Sequence, residues 1–141
     1  MNIKNQKGAA AIEFAIISPI LFILLFGIIE FSIALYDKAM ITNASREGAR
    51  AGIVFNHPNP ISDAEIIAVV NNYCADHLIS LGDDSVVSTT FPIRGMNTGD
   101  QLAVRVTYTY NFIVLPDLSE LFGGTINSSL TLVAESVMRM E

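Results

Sequence analysis

Few residues in this chain of 141 amino acids are of a type and spacing that could do chemistry. Cys74 and His77 stand three apart, like a metal-ligand pair on a helix. A zinc site needs three or four ligands, however, and no third or fourth recurs nearby. No serine sits in a nucleophile elbow, no glycine-rich phosphate loop appears, and no pair of carboxylates stands out from solvated surface. Neither catalysis, a metal nor a cofactor is expected. The residue that does call for a chemical partner is Glu13, a carboxylate one turn inside a long apolar run. In hydrocarbon such a charge costs on the order of 3 kcal/mol, so it either snorkels to the headgroups or meets a cation. The sequence offers one. Gly8 precedes Ala9-Ala10-Ala11, and a cut after Gly8 would make Ala9 a cationic N-terminus, close along the chain to Glu13. Between neighbouring helices offset along their axes, that carboxylate would meet the next subunit's amine, fixing register and penalising a subunit without it.

The element that must position these residues runs from Ala9 to Leu35, apolar except for Glu13, Ser18, Glu30 and Ser32. As a helix it is roughly 40 Å long, more than the roughly 30 Å of a bilayer core. Lys4 and Lys7 precede it, which places the N-terminus in the cytoplasm and the remainder outside. A cleaved secretory signal would be shorter and followed by a small-x-small site. A core helix of a soluble protein would not be apolar on every face across Ile20–Ile29. A plain, unprocessed signal anchor remains the competing reading. Pro19 removes a backbone hydrogen bond within the span and predicts a kink. Nothing breaks the helix until Asn56-His57-Pro58-Asn59-Pro60, so it is expected to continue outward to residue 56. There Ala44, Gly48, Ala51 and Gly52 would admit a closely packed neighbour, either the domain's own sheet or another subunit. Glu47 and Arg50 are spaced for a local ion pair. Glu30, near the outer edge of the apolar run, is open to two readings, snorkelling or packing.

Beyond residue 57 the pattern becomes that of a small domain. Ser62-Asp63-Ala64-Glu65 reads as a capping box. Ile66, Val70, Tyr73, His77 and Leu81 then follow at helical steps, with Gly82 as the expected C-cap. Ser85–Phe91 is a weak strand. From Leu102 to Phe112 apolar and polar residues alternate, after an Asn97-Thr98-Gly99-Asp100 turn, which predicts a strand with one dry face. Ser128–Met138 is a second strand, with Leu130, Leu132 and Ala134 on one side. Between them Pro116–Gly124 holds Leu118, Leu121 and Phe122, read as a helical turn that either contacts a partner or covers the core. The fold expected is α+β: a long N-terminal transmembrane helix continuing into a domain with a second helix and an antiparallel sheet of three to four strands. The divisions are a leader at 1–8, a span at 9–35, its outer extension at 36–56, and an extracytoplasmic domain at 57–141.

Totals narrow the function further. A net charge of -6 argues against a nucleic-acid partner, which would require clustered Lys and Arg. The single cysteine, Cys74, forbids an internal disulfide. The asparagines of Asn43-Ala44-Ser45 and Asn127-Ser128-Ser129 match a short sequon common by chance.

Gly8-Ala9-Ala10-Ala11-Ile12-Glu13-Phe14 before an apolar helix resembles the class III signal of type IV pilins, most of all the tight-adherence (Tad/Flp) branch, in which a prepilin peptidase cuts after the glycine. The likeness continues through Phe26-Gly27-Ile28-Ile29-Glu30-Phe31, Ala34-Leu35-Tyr36 and Thr42-Asn43-Ala44-Ser45-Arg46-Glu47-Gly48-Ala49-Arg50, which resemble the TadE-like family of minor pilins or pseudopilins. It covers roughly residues 7–54. The resemblance implies cleavage between Gly8 and Ala9, and a pilin-type assembly role for Glu13 and Phe14. It further implies a single pass through a bacterial inner membrane, with the C-terminal domain periplasmic or extracellular. Its implied partners are the prepilin peptidase, other Tad pilins, the inner-membrane assembly platform and the lipid bilayer. Major Flp pilins are little more than the helix, so the extra domain favours a minor pilin over the main fibre subunit.

Two functions therefore compete. One is a minor pilin that starts, caps or anchors a Tad pilus used in surface adherence. The other is a membrane-tethered binding module that never enters a fibre. An enzyme is a distant third.

Overall fold

A computed structural model of the chain describes residues 3–56, 59–80, 86–120, 123–125 and 127–141, with side chains undescribed at 3–7, 55–56, 59–60 and 117–118. Its architecture is α+β. Helix α1 (Ile3–Gly52) leads into a minimal hairpin of β1 (Phe55–Asn56) and β2 (Asn59–Pro60). Helix α2 (Asp63–His77), strands β3 (Val87–Arg94) and β4 (Gln101–Asn111), the short α3 (Leu115–Glu120) and strand β5 (Ser129–Arg139) follow. The chain divides into two compact units. One comprises residues 1–32 and 112–128; the other comprises residues 33–111 and 129–141. The β4–β5 connection thus clusters with the apolar part of α1, a grouping that nothing in the linear order of the sequence foretells.

In the larger unit, β3, β4 and β5 form an antiparallel sheet in that order. The alternation read from the sequence appears on central β4, where Leu102, Val104, Val106, Tyr108 and Tyr110 are all buried. Strand β4 ends at Asn111, one residue before Phe112, whose N–H instead donates to Ser128 O at 2.8 Å in the smaller unit. On β5, Leu132 and Ala134 are buried as expected, whereas Leu130 is exposed at the strand's start. Strand β3 lies two to three residues later than Ser85–Phe91. Its pairing with β4 slips between Thr90 and Ile93, where Pro92 has no N–H to give the ladder. The Asn97–Asp100 turn joins β3 to β4. Gly99 sits there at φ 93°, the left-handed region that suits glycine. The Asp100 carboxylate accepts the N–H groups of Asn97 and Met96, and these bonds hold its carboxyl below the usual range.

Helix α2 begins as the sequence indicates. Ser62 Oγ accepts Glu65 N–H, and the Glu65 carboxylate accepts Ser62 N–H at 2.9 Å, closing the capping box. Its end differs from expectation. The cap is Leu78, in extended conformation, with its N–H on Cys74 O at 2.9 Å. Gly82 and Leu81 lie outside the described residues. The buried seam is Ile66, Val70 and Cys74, spaced four apart, and His77 is exposed rather than on that seam. Arg94 of β3 fastens the start of α2: its Nε donates to Asp63 Oδ1 at 2.7 Å and its guanidinium also to Ile61 O.

The larger unit also takes in the outer part of α1, whose Ala34, Ile41, Ala44 and Ala49 are buried in its core. Helix α1 stops at Gly52, four residues short of the expected end at 56, because the chain there turns into the β1–β2 pairing. Three polar contacts tie down side chains on this stretch. Ser45 Oγ bonds Ser136 Oγ at 2.8 Å, Lys38 Nζ donates to Val133 O on β5, and Glu47 pairs with Arg50 on the surface.

Candidate functional site: the carboxylates of the apolar helix

Helix α1 is long and apolar enough to cross a membrane, and none of its most apolar stretch is buried within the protein. From Ile12 to Ile29 its large apolar side chains face outward, Phe14, Ile16, Leu24 and Ile28 among them. Such a surface is stable only in an apolar surrounding, since each exposed aliphatic side chain forgoes about 1.5–3 kcal/mol of burial in water. Pro19 lies inside the helix; it has no N–H to return to the preceding turn.

Gly8, Ala9, Glu13 and Phe14 all lie on α1 and are exposed, with nothing within 4 Å of a side chain built at Gly8. Among the described residues no cation pairs with Glu13; the ion pairs there are Arg50–Glu47, Arg94–Asp63 and Arg105–Glu135. Among the described residues, this carboxylate therefore stands on an apolar cylinder without a cation partner.

Glu30 is treated quite differently. It is 3% exposed, which removes the snorkelling alternative. Its Oε1 accepts the N–H groups of Ile113 and Val114, both at 2.7 Å, and its Oε2 accepts that of Leu115 at 3.1 Å. Three successive backbone donors converge on one carboxylate, each a charge-assisted bond stronger than a neutral one. Beside it Gly27 leaves room for the connection: a methyl placed there would touch Leu115 Cδ2 at 3.6 Å. The rest of the loop closes on itself, with Ser119 Oγ on Pro116 O at 2.8 Å and Gly124 N on Ser119 O at 2.9 Å. The expected helical turn over Pro116–Gly124 is α3 and the turn after it. The side chains of Leu118, Leu121 and Phe122 lie outside the described residues.

In the larger unit, Gly48 and Gly52 face α2 and the sheet. A methyl at Gly48 would lie 2.6 Å from Val70 Cγ2, and one at Gly52 would collide with Leu102 Cδ2 and come within 2.7 Å of Ile66 Cδ1. Glycine at both positions lets the helices approach closely. Asp37, fully buried, accepts Ile79 N–H at 3.0 Å through Oδ1, while Oδ2 has no partner among the described residues. Burial pushes its carboxyl up, against a smaller opposing pull from the Ile79 N–H. Sequence reading passed over Asp37, because its partner is a backbone group 42 positions away.

Cys74 and His77 do not converge. The thiol is buried and pushed up to about 11 by that burial. The His77 ring stacks on Tyr73 at 4.4 Å on the exposed side. His57 lies outside the described residues. Among the described residues, no three His, Cys, Asp or Glu side chains are grouped to hold a metal ion.

No curated protein and no solved structure matches the chain. A family model does: residues 8–50 match the family described as TadE-like protein, a stretch that begins at the Gly8–Ala9 junction, includes both carboxylates and ends two residues before α1 does. Over residues 8–50, this chain is therefore similar to TadE-like proteins.

Proposed function

We propose that the protein is a minor pilin or pseudopilin that takes part in assembling, initiating or anchoring a Tad pilus. One observation carries the reading: the TadE-like segment coincides with an outward-facing apolar helix whose Glu13 has no cation partner among the described residues. A buried charge without its partner is strongly unfavourable, whereas a paired one sets register. In this reading a prepilin peptidase cuts between Gly8 and Ala9, and the new amine of a neighbouring subunit meets Glu13. Phe14 packs beside that pair, and the Pro19 kink adjusts the helix to its neighbours. The single pass lies in the bacterial inner membrane with the N-terminus cytoplasmic, and the partners are other Tad pilins and the assembly platform. The role is structural, with no catalytic step assigned.

The intact mass of the protein extracted from membranes of cells with a matching prepilin peptidase tests the first step. A chain beginning at Ala9 supports pilin processing. A chain beginning at Met1 moves the protein to a tethered extracytoplasmic binding module. The Glu13→Ala variant tests the second step: insertion is retained and piliation lost. Unchanged piliation would refute the register role.

A further inference from the structure

The Glu30 carboxylate does more than the pilin reading requires. Glu30 stands 21 positions beyond Ala9, about 32 Å along an α-helix, which is the depth at which a bilayer core of roughly 30 Å ends. At that level it holds the chain of the β4–β5 connection by three consecutive N–H groups. In lipid, irregular backbone is disfavoured by its unsatisfied N–H and C=O groups. The N–H groups of residues 113–115, which lead into α3, are satisfied, because the carboxylate takes all three. Their side chains are Ile, Val and Leu, and Ile113 is 45% exposed. On α1 the neighbours of Glu30 in sequence, Ile29 and Phe31, are exposed as well. Residues 112–128 contain no Lys or Arg, so attraction to anionic headgroups plays no part.

We propose that the start of the β4–β5 connection, residues 113–115, is a lipid-contacting element, seated in the headgroup and upper acyl region where α1 leaves the bilayer, with Glu30 as the positioning residue that allows its backbone to sit there. A carboxylate in this place gives the anchor a second point of membrane contact beside the helix. The occupant of the apolar face of Ile113 is phospholipid, not a second polypeptide. The proposal rests on α1 being a membrane span, but not on processing after Gly8 or on any place in a fibre.

The chain has no tryptophan, so single-tryptophan variants report without background. Full-length protein carrying Ile113→Trp is reconstituted into phosphatidylcholine vesicles brominated near the top of the acyl chains. Phe22→Trp, on the apolar stretch of α1, is tested in vesicles brominated near the bilayer centre. Both are expected to lose most of their emission to bromine and little to aqueous iodide. Adding Glu30→Gln to the Ile113→Trp protein replaces one acceptor oxygen with a donor amide. It is expected to reverse the preference, with iodide quenching rising and bromine quenching falling. If Phe22→Trp is quenched by bromine but Ile113→Trp only by iodide, the loop faces water or a protein partner and the proposal is overturned while the span stands. If Phe22→Trp is itself open to iodide, the span and the proposal fall together. If Glu30→Gln leaves Ile113→Trp buried in lipid, Glu30 is not the positioning residue.

Discussion

The close approach at Gly48 yields a prediction whose sign is set by the neighbouring side chain. On helix propensity alone, Gly48→Ala should stabilise by about 1 kcal/mol. The new methyl, however, would lie 2.6 Å from Val70 Cγ2, with Ile66 and Val104 methyls at 3.5 Å. Val70 is fully buried and β-branched on a helix, so its χ1 has little room to turn away. Overpacking of this kind costs about 1–3 kcal/mol, which outweighs the propensity gain. A net loss near 1 kcal/mol would lower the midpoint of a unit of this size by about 4–8 °C. The assay is thermal unfolding of the full chain in detergent, followed by near-UV circular dichroism of the buried tyrosines Tyr108 and Tyr110. The control is Val70→Ala, which removes the obstructing methyls at a cost of about 2 kcal/mol. In that background Gly48→Ala fills the vacated space and becomes stabilising, so the pair is strongly non-additive. Equal effects of Gly48→Ala in both backgrounds, or a raised midpoint in the wild type, would refute the packing argument.

Two further predictions concern the same unit. Ser62→Ala removes the acceptor for Glu65 N–H and the anchor of the capping box. It should cost about 1 kcal/mol and lower the midpoint in the same melt, whereas Ser62→Gly should cost only a few tenths. Asp37 gives a pH dependence. Its folded carboxyl is raised above the ordinary value of 3.8, so the folded state holds the proton longer than the unfolded one, and its contribution to stability falls as pH rises from about 3.8 through the raised value. Asp37→Asn keeps an acceptor for Ile79 N–H and never ionises. Its midpoint relative to the wild type should therefore climb over that window and stay higher at neutral pH; a pH-independent difference would contradict the assignment.

Where pattern was local, the sequence could be read directly. The capping box needs only Ser62 and Glu65, and both bonds are made. The alternation of β4 and the apolar cylinder of α1 follow from side-chain period alone. Errors arose where local rules met tertiary ones. Gly82 looked like a helix stop, yet α2 stops at His77, and the Leu78 N–H closes on Cys74 O. His77 continued the helical spacing but faces outward beside Tyr73. Glu30 stood out as a carboxylate with a packing role as one of its two readings, but its partners, like those of Asp37, had no sequence signal, because each is a backbone donor far along the chain at a position whose side chain is irrelevant to the bond.

The burial of Ala34, Ile41, Ala44 and Ala49 in the core of residues 33–111 and 129–141 has an evolutionary consequence. The family match ends at residue 50, yet its last stretch, residues 33–50, is also one wall of the domain that follows. A recombination event joining this helix to a foreign domain at residue 51 would deliver a core with one wall shaped for another occupant. Inheritance of such a domain is thus tied to its anchor. New head domains are expected to arise by gradual change in α2 and the sheet against a fixed row of small residues, rather than by exchange of whole modules.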